Sequence, residues 1–366
     1  MVLNMLISQK SKEIIDSCRF CWMCRHICPI GNATGQERNT ARARALALSL
    51  VERGAEPLEG VADNVYECSL CGACTKECVT GWDPVKFTKE VRTELAMNGK
   101  TPEYINKLID NIEKTGNVYG ETEYCGKLRA EIESLPKSAD VLLFLGKDAI
   151  YKTPENAAKA IKLLKAANVS FTVLADEPDS GAAMDILVGA AAETKEIMEK
   201  CAKQLNYKTV VAYDPADAKV FLREYKEWGI EIPTEVVTFT AFVAKLIDDG
   251  SLKPKKTKNA YTFQDPSFLA RDLEETDAAR KIINACGENR EMLLFGKDTM
   301  LAGSLIMNEY MPDVMKIVAK DRWQNAVNMD AETLVTASPA EYKLLDENKP
   351  ENVSLKTVEE VVLECL

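Results

Sequence analysis

The chemistry of this chain is concentrated in its thiols. Of its 12 cysteines, four lie in "CRFCWMCRHICPIG" as Cys18, Cys21, Cys24 and Cys28. Forty residues later, "CSLCGACTKEC" repeats the spacing with Cys68, Cys71, Cys74 and Cys78. Each run reads C-x2-C-x2-C-x3-C, and Pro29 follows the last thiol of the first. Thiolates are soft ligands suited to zinc or iron–sulfur clusters. Two such sets imply a pair of metal centres.

The spacing is the iron–sulfur spacing of two-cluster carriers. Three cysteines set three residues apart can wrap one cubane and fill three of its corners. The fourth points away and ligates the other cluster. The expected ligation is therefore crossed. Cys18, Cys21, Cys24 and Cys78 hold one [4Fe–4S] cluster; Cys68, Cys71, Cys74 and Cys28 hold the other. Structural zinc sites draw on two separated pairs, and four thiols within eleven residues, twice over, fit that poorly. The lone histidine, His26, leaves no Ser-His-Asp triad and no histidine-rich metal site. Its own place is at the surface or beside the ligands.

Composition narrows the rest. A length of 366 residues allows two or three domains. A net charge of -11 disfavours nucleic acid or an anionic membrane as the main partner. The first 48 residues run the other way. Lys10, Lys12, Arg19, Arg25, Arg38, Arg42 and Arg44 against Glu13, Asp16 and Glu37 give +4. No apolar run reaches the roughly 20 residues of a membrane span, and the start, "MVLNMLISQKSK", has no signal-peptide pattern. The expected setting is cytoplasmic, or peripheral at the inner membrane through a partner. There thiols stay reduced, which disfavours disulfides.

The elements that must position the thiols follow. Between the runs, Glu37–Arg53 reads as a helix ending at Gly54, with Leu46, Leu50 and Val51 on its apolar face and Arg38, Arg42 and Arg44 largely off it. These arginines either tune the cluster potential or form a solvated face. A short helix around Leu58–Tyr66 feeds the second run. Two amphipathic helices follow, stopping at Asn98-Gly99 and Gly116-Asn117, and a linker ends near Pro136. From there strands alternate with helices: strands at Asp140–Gly146, Ser170–Ala175 and Lys208–Tyr213, a helix at 154–168, a long helix at Ala182–Leu205, and one from Pro215 to about Trp228. A second series has strands at Ala260–Pro266 and Met292–Gly296, then a third with its helix across Glu332–Leu345. This alternation implies parallel sheets. "TVVAYDPADAKVFL" and "TLVTASPAEYKLLD" recur at an offset of 124 residues, which reads as two copies of one α/β unit.

The layout resembles a family of electron-transfer subunits that includes heterodisulfide reductase and the iron–sulfur subunits of anaerobic glycerol-3-phosphate dehydrogenase and glycolate oxidase. "NIEKTGNVYG" is similar to the family's segment after its dicluster domain, and the remainder resembles its two CCG repeats. The resemblance places ten repeat cysteines at Lys147, Asp179, Ser180, Asp214 and Asp217, then at Ser267, Leu294, Phe295, Ser338 and Glu341. None is cysteine here. Cys125, Cys201, Cys286 and Cys365 match none of those positions. Lys147, Asp148, Asp179, Asp214 and Asp217 would gather at strand C-termini as a small-ligand site or a solvated crevice.

The reading is an α + α/β protein: an all-helical dicluster ferredoxin domain at 1–135, then CCG-like repeats at 136–257 and 258–366. It implies an electron-transfer subunit, without catalytic residues, between an FAD-containing dehydrogenase and an acceptor such as quinone or ferredoxin. Rival readings are a catalytic heterodisulfide or disulfide reductase and a redox-sensing, partner-binding protein. No phosphate-binding or G-x-G-x-x-G loop supplies a nucleotide site within the chain.

Overall fold

The computed structural model describes residue 18 and residues 21–366; Lys10, Lys12, Glu13, Asp16 and Arg19 of the basic segment, and the opening "MVLNMLISQK", lie outside the described residues. The chain forms two compact units. The first runs to Gly120 and takes in Ala183–Glu196 and Ile306–Val318; the second holds Glu121–Ala182, Ile197–Leu305 and Ala319–Leu366. This grouping is discontinuous in sequence.

The described part of the first unit is helical. Ala41–Glu52 follows a short 3-10 turn at Glu37–Asn39 and is capped by the Thr40 side chain. Its inward face is Ala41, Arg44, Ala45, Leu48 and Val51, whereas Leu46 is 52% exposed. The expected face was thus displaced, with Arg44 inside it. Leu58–Val61 and Ala62–Tyr66 lead into the second cysteine run, as the sequence suggested. Pro84–Met97 is opened by Asp83, whose carboxylate accepts from the Val85 and Lys86 amides. The single helix expected at Ala182–Leu205 is two, Ala182–Val188 and Ala192–Ala202. Gly189 breaks it with a φ of 60°. A Cβ there would sit 2.6 Å from Thr93 Oγ1 and 2.9 Å from the Lys89 carbonyl. Thr93 fixes the break by donating to the Val188 carbonyl at 2.8 Å and accepting from the Ala190 amide at 3.1 Å.

The second unit carries two four-stranded parallel sheets. In the first, β1 (Val141–Phe144), β2 (Phe171–Thr172), β3 (Thr209–Ala212) and β4 (Glu235–Thr238) lie in the order β2-β1-β3-β4. In the second, β5 (Ala260–Gln264), β6 (Glu288–Asn289), β7 (Thr333–Thr336) and β8 (Ser354–Thr357) lie in the order β6-β5-β7-β8. Register is direct: Val141 pairs with Phe171 and Thr209, and Tyr261 with Thr333. Alternate residues bury on opposite faces, as parallel sheets covered by helices require. Leu143 and Val211 enter one core with Phe263, Val335 and the helices Pro154–Ala166, Asp277–Cys286 and Val358–Cys365; Leu142, Phe144 and Val210 enter another. Strands β4 and β8 and the helix Gly126–Glu133 were not foreseen. Met292–Gly296 is not a strand: Leu293 and Phe295 are exposed, and Leu294 has a φ of 58° that no strand accommodates.

At the strand C-termini Glu177, Ser180, Asp214 and Asp217 are buried, while Lys147, Asp148 and Asp179 are partly exposed. Ser180 donates to Asp217, and Asp214 caps the next helix by accepting from the Ala216 amide at 2.9 Å. Lys147 donates to the Glu177 carbonyl. Glu177, unnoticed in the sequence, accepts from the Leu145 and Gly146 amides at 2.7 and 2.8 Å. In the second sheet, Arg280 forms paired bonds to Asp265 at 2.7 and 2.8 Å, and Gln264 reaches Glu341 at 3.2 Å. Burial pushes Glu177 up to about 7 and Glu341 up to about 8. Asp214 and Asp217 rise well above the usual carboxylate range, through burial and then through neighbouring carboxylates.

Two outcomes are expected. Gly189→Ala should cost about 1–3 kcal/mol, read as a lowered denaturation midpoint at unchanged slope. The buried carboxyls bind protons more tightly folded than unfolded, so stability falls as pH rises above about 4 and through 7–8. The melting temperature should be lower at about pH 8 than at about pH 5, and Asp217→Asn should flatten that difference. A melting temperature climbing steadily across the interval would contradict this assignment.

Candidate metal centre

The two cysteine runs fold alike. Cys28 and Cys78 hold nearly the same extended backbone, φ -77° with ψ 111° and φ -72° with ψ 112°. Short helices, Met23–His26 and Ala73–Glu77, carry the thiols at Cys24 and Cys74. The extended fourth cysteine turns its side chain out of its own run.

The thiols line two pockets. One is bordered by Cys18, Cys21, Cys24, Cys74 and Cys78; the other by Cys28, Cys68, Cys71 and Cys74. Each pocket thus receives three thiols of one run and the last thiol of the other, with Cys74 bordering both. Among the described residues, no three His, Cys, Asp or Glu side chains converge tightly enough to chelate a single ion. A cubane presents four separate iron corners, so its ligands stand further apart than those of one ion. The donor set fits the larger group. His26 is exposed, and its carbonyl accepts from Asn32 at 2.9 Å.

In the second pocket burial and a buried cation act on the thiols in opposite directions. Burial pushes Cys28 up to about 11 and raises Cys74 well above the usual thiol range. Arg44 opposes both rises. Only 3% of Arg44 is exposed, and its guanidinium donates to the carbonyls of Asn39, Asn64 and Glu67 at 2.8, 2.9 and 3.0 Å. Burial disfavours its charge, but Cys68, Cys28 and Cys74 outweigh burial and keep it protonated. Arg92, also buried, donates to the carbonyls of Cys68 at 2.6 Å, Val65 at 3.0 Å and Ile186 at 2.6 Å. Local amide and hydroxyl groups reach the sulfurs: the Gly31 amide donates to Cys28 Sγ at 3.3 Å, and Thr80 Oγ1 lies 3.2 Å from Cys78 Sγ. Of the other arginines, Arg42 borders the first pocket, while Arg38 is an exposed partner of Glu67. The remaining thiols stand elsewhere. Cys201, Cys286 and Cys365 are buried and Cys125 is exposed. Cys286 and Cys365 are neighbours in space, with Cys365 Sγ 3.8 Å from the Cys286 carbonyl.

Residues 14–82 match the 4Fe-4S dicluster domain. The chain is 25% identical to a dihydromethanophenazine:CoB--CoM heterodisulfide reductase subunit of Methanosarcina mazei, across 89% of this chain and 87% of that one. It is 24% identical to "Probable membrane-anchored ferredoxin" of Chromohalobacter salexigens, across 74% of this chain. It is 24% identical to "EtfAB:quinone oxidoreductase" of Syntrophomonas wolfei, across 75%. It spans 47% and 45% of the length of those last two relatives. A glutamate racemase isoform of Bacillus anthracis superposes with a TM-score of only 0.32 at 12% identity, covering 62% of this chain and 79% of that one, too weak a likeness to argue from. All eight clustered cysteines fall inside the span that matches the 4Fe-4S dicluster domain, and the similarity to the heterodisulfide reductase subunits continues through the α/β region.

Proposed function

We propose that the chain relays electrons through two [4Fe–4S] clusters, as a subunit of an oxidoreductase complex, between an FAD-containing dehydrogenase and a terminal acceptor. The observation that carries this reading is the exchange of fourth thiols between the two pockets. It supports one cluster on Cys18, Cys21, Cys24 and Cys78 and the other on Cys68, Cys71, Cys74 and Cys28. Each cluster, when bound, supplies a one-electron couple whose potential follows ligation, hydrogen bonding and burial. The chain's own contribution is to hold the thiolates and to set the charge around them. Arg44 places a buried cation beside Cys28, Cys68 and Cys74, which favours the reduced, more negative state.

For the α/β region we propose two CCG-like repeats, 136–257 and 258–366, behind a helical ferredoxin domain at 1–135. The identical strand order of the two sheets supports this. So does a shared contact: Ser180 donates to Asp217 in the first sheet's loops, and the Ala302 amide donates to Glu341 at 3.2 Å in the second's. That match makes Gly303, rather than Gly296, the counterpart of Gly181. The positions where the family carries repeat cysteines are filled by four carboxylates, three serine hydroxyls, a lysine and two apolar residues. This favours a scaffold or docking role over disulfide reduction. The quinone in the Syntrophomonas relative's name makes a quinone-linked acceptor one chemistry to try. The α/β part would then be where the partner subunits meet the chain.

Cys28→Ala should remove the cluster of Cys68, Cys71 and Cys74 and spare the other, lowering iron from about eight to about four atoms per chain. Paramagnetic resonance of the dithionite-reduced variant distinguishes the two, and loss of the Cys18–Cys24 cluster alone would defeat the crossed scheme. The anaerobically purified protein should also bring down a flavoprotein whose substrate reduces the clusters within turnover time. A cluster-loaded chain that no copurifying flavoprotein reduces would instead support redox sensing.

A further inference from the structure

Trp22 sits in the left-handed backbone region, with φ 73° and ψ -3°. Its counterpart in the second run is Gly72, with φ 75° and ψ -2°. A bulky aromatic thus keeps a conformation that glycine adopts freely and that side chains resist. Core filling does not explain it, because Trp22 is 46% exposed. Two other apolar side chains bordering the same thiol pocket are also open, Met23 at 42% and Val79 at 72%. The Arg42 guanidinium stacks 4.1 Å from the Trp22 ring centroid, and that of Arg25 lies 5.9 Å away. The other pocket is bordered instead by buried Ile30, Leu70 and Ala73. Scattered exposed apolar residues need no explanation. Here three share one pocket over one set of thiols, and one of them holds a backbone that resists it.

We propose that this face is the port at which the cluster of Cys18, Cys21, Cys24 and Cys78 exchanges electrons with a small acidic carrier protein, one whose apolar contact is ringed by carboxylates. The proposal rests on the relay reading above. Charge selects the occupant. Among the described residues up to Leu48, Arg25, Arg38, Arg42 and Arg44 against Glu37, which pairs with Arg42, give +3 in a chain of -11, and Arg25 and Arg42 flank the Trp22 ring, so this face favours an acidic partner. An exposed Trp flanked by Arg is also the composition that dominates interface energetics. Burial of the second pocket's lining leaves this face as the thiol site open to such a partner.

The test uses the full-length, cluster-loaded protein with plant-type ferredoxin as the acidic probe. Calorimetric affinity for oxidised ferredoxin and the stopped-flow rate of reduction by reduced ferredoxin should each fall at least about tenfold in Met23→Glu/Val79→Glu. Both should also fall for the unaltered protein as salt rises from about 50 to about 300 mM. Iron content and reduction by dithionite should stay unchanged, since dithionite needs no docking. Trp22→Gly relaxes the backbone and should lose ferredoxin affinity while keeping its iron and thermal stability. Variants that bind and react with ferredoxin normally would overturn the port, as would an iron-replete protein with no salt-sensitive ferredoxin binding. Sedimentation with phosphatidylglycerol vesicles that the variants abolish, with ferredoxin kinetics untouched, would give the face to a membrane instead. An unaltered protein without iron would fail the relay reading itself, and the port with it.

Discussion

Two cysteine runs forty residues apart can share their ligands only if their backbones are held together, and buried guanidinium groups do this. Arg44, on the helix between the runs, gathers carbonyls from just after the first run and just before the second. Arg92, on the helix after the second run, takes the Cys68 carbonyl itself. Hydrogen bonds to a charged donor are among the stronger ones available inside a protein, and an unpaired buried guanidinium would be severely penalised. The same Arg44 charge then faces the thiols it helped to assemble, so one side chain serves both the folding of the site and its electrostatics.

The α/β unit meets a related problem in two ways. Both sheets bring polar side chains to their strand C-termini, where ligands usually bind in such folds. In the second sheet arginines answer the carboxylates, with Arg280 on Asp265 and Arg322 bonding through Gln264 toward Glu341. In the first, Lys147 is the cation that lowers the proton affinity of Glu177, and Asp214 and Asp217 face each other in low dielectric. Acids so placed bind protons more tightly than exposed ones, and the unit's stability becomes linked to pH.

The cysteine runs were the most legible part of the chain, because ligand spacing is a local property that needs no tertiary information. Strands β1, β3, β5 and β7 were legible for a similar reason, being short apolar runs buried on both faces. What escaped depended on contacts across the chain. Arg44 was placed off the apolar face because pattern reasoning treats a guanidinium as solvent-seeking, while its partners are carbonyls 5 to 23 residues away. The break at Gly189 follows from Thr93, nearly a hundred residues earlier. Met292–Gly296 has the composition of a strand, but Leu293 and Phe295 face solvent and Leu294 takes a positive φ. Glu177 had no motif around it, and only the Leu145 and Gly146 amides reveal its part. Strands β4 and β8 are half-polar edge segments whose signal is weak in sequence.

One outer strand of each sheet, β2 and β6, is two residues long. A sheet margin that brief offers a neighbouring chain almost no backbone ladder to extend, whereas a long bare margin invites accretion of copies. For a chain expected to live among partner subunits at high local density, the truncated margin leaves each sheet only one side, β4 or β8, along which a strand could add.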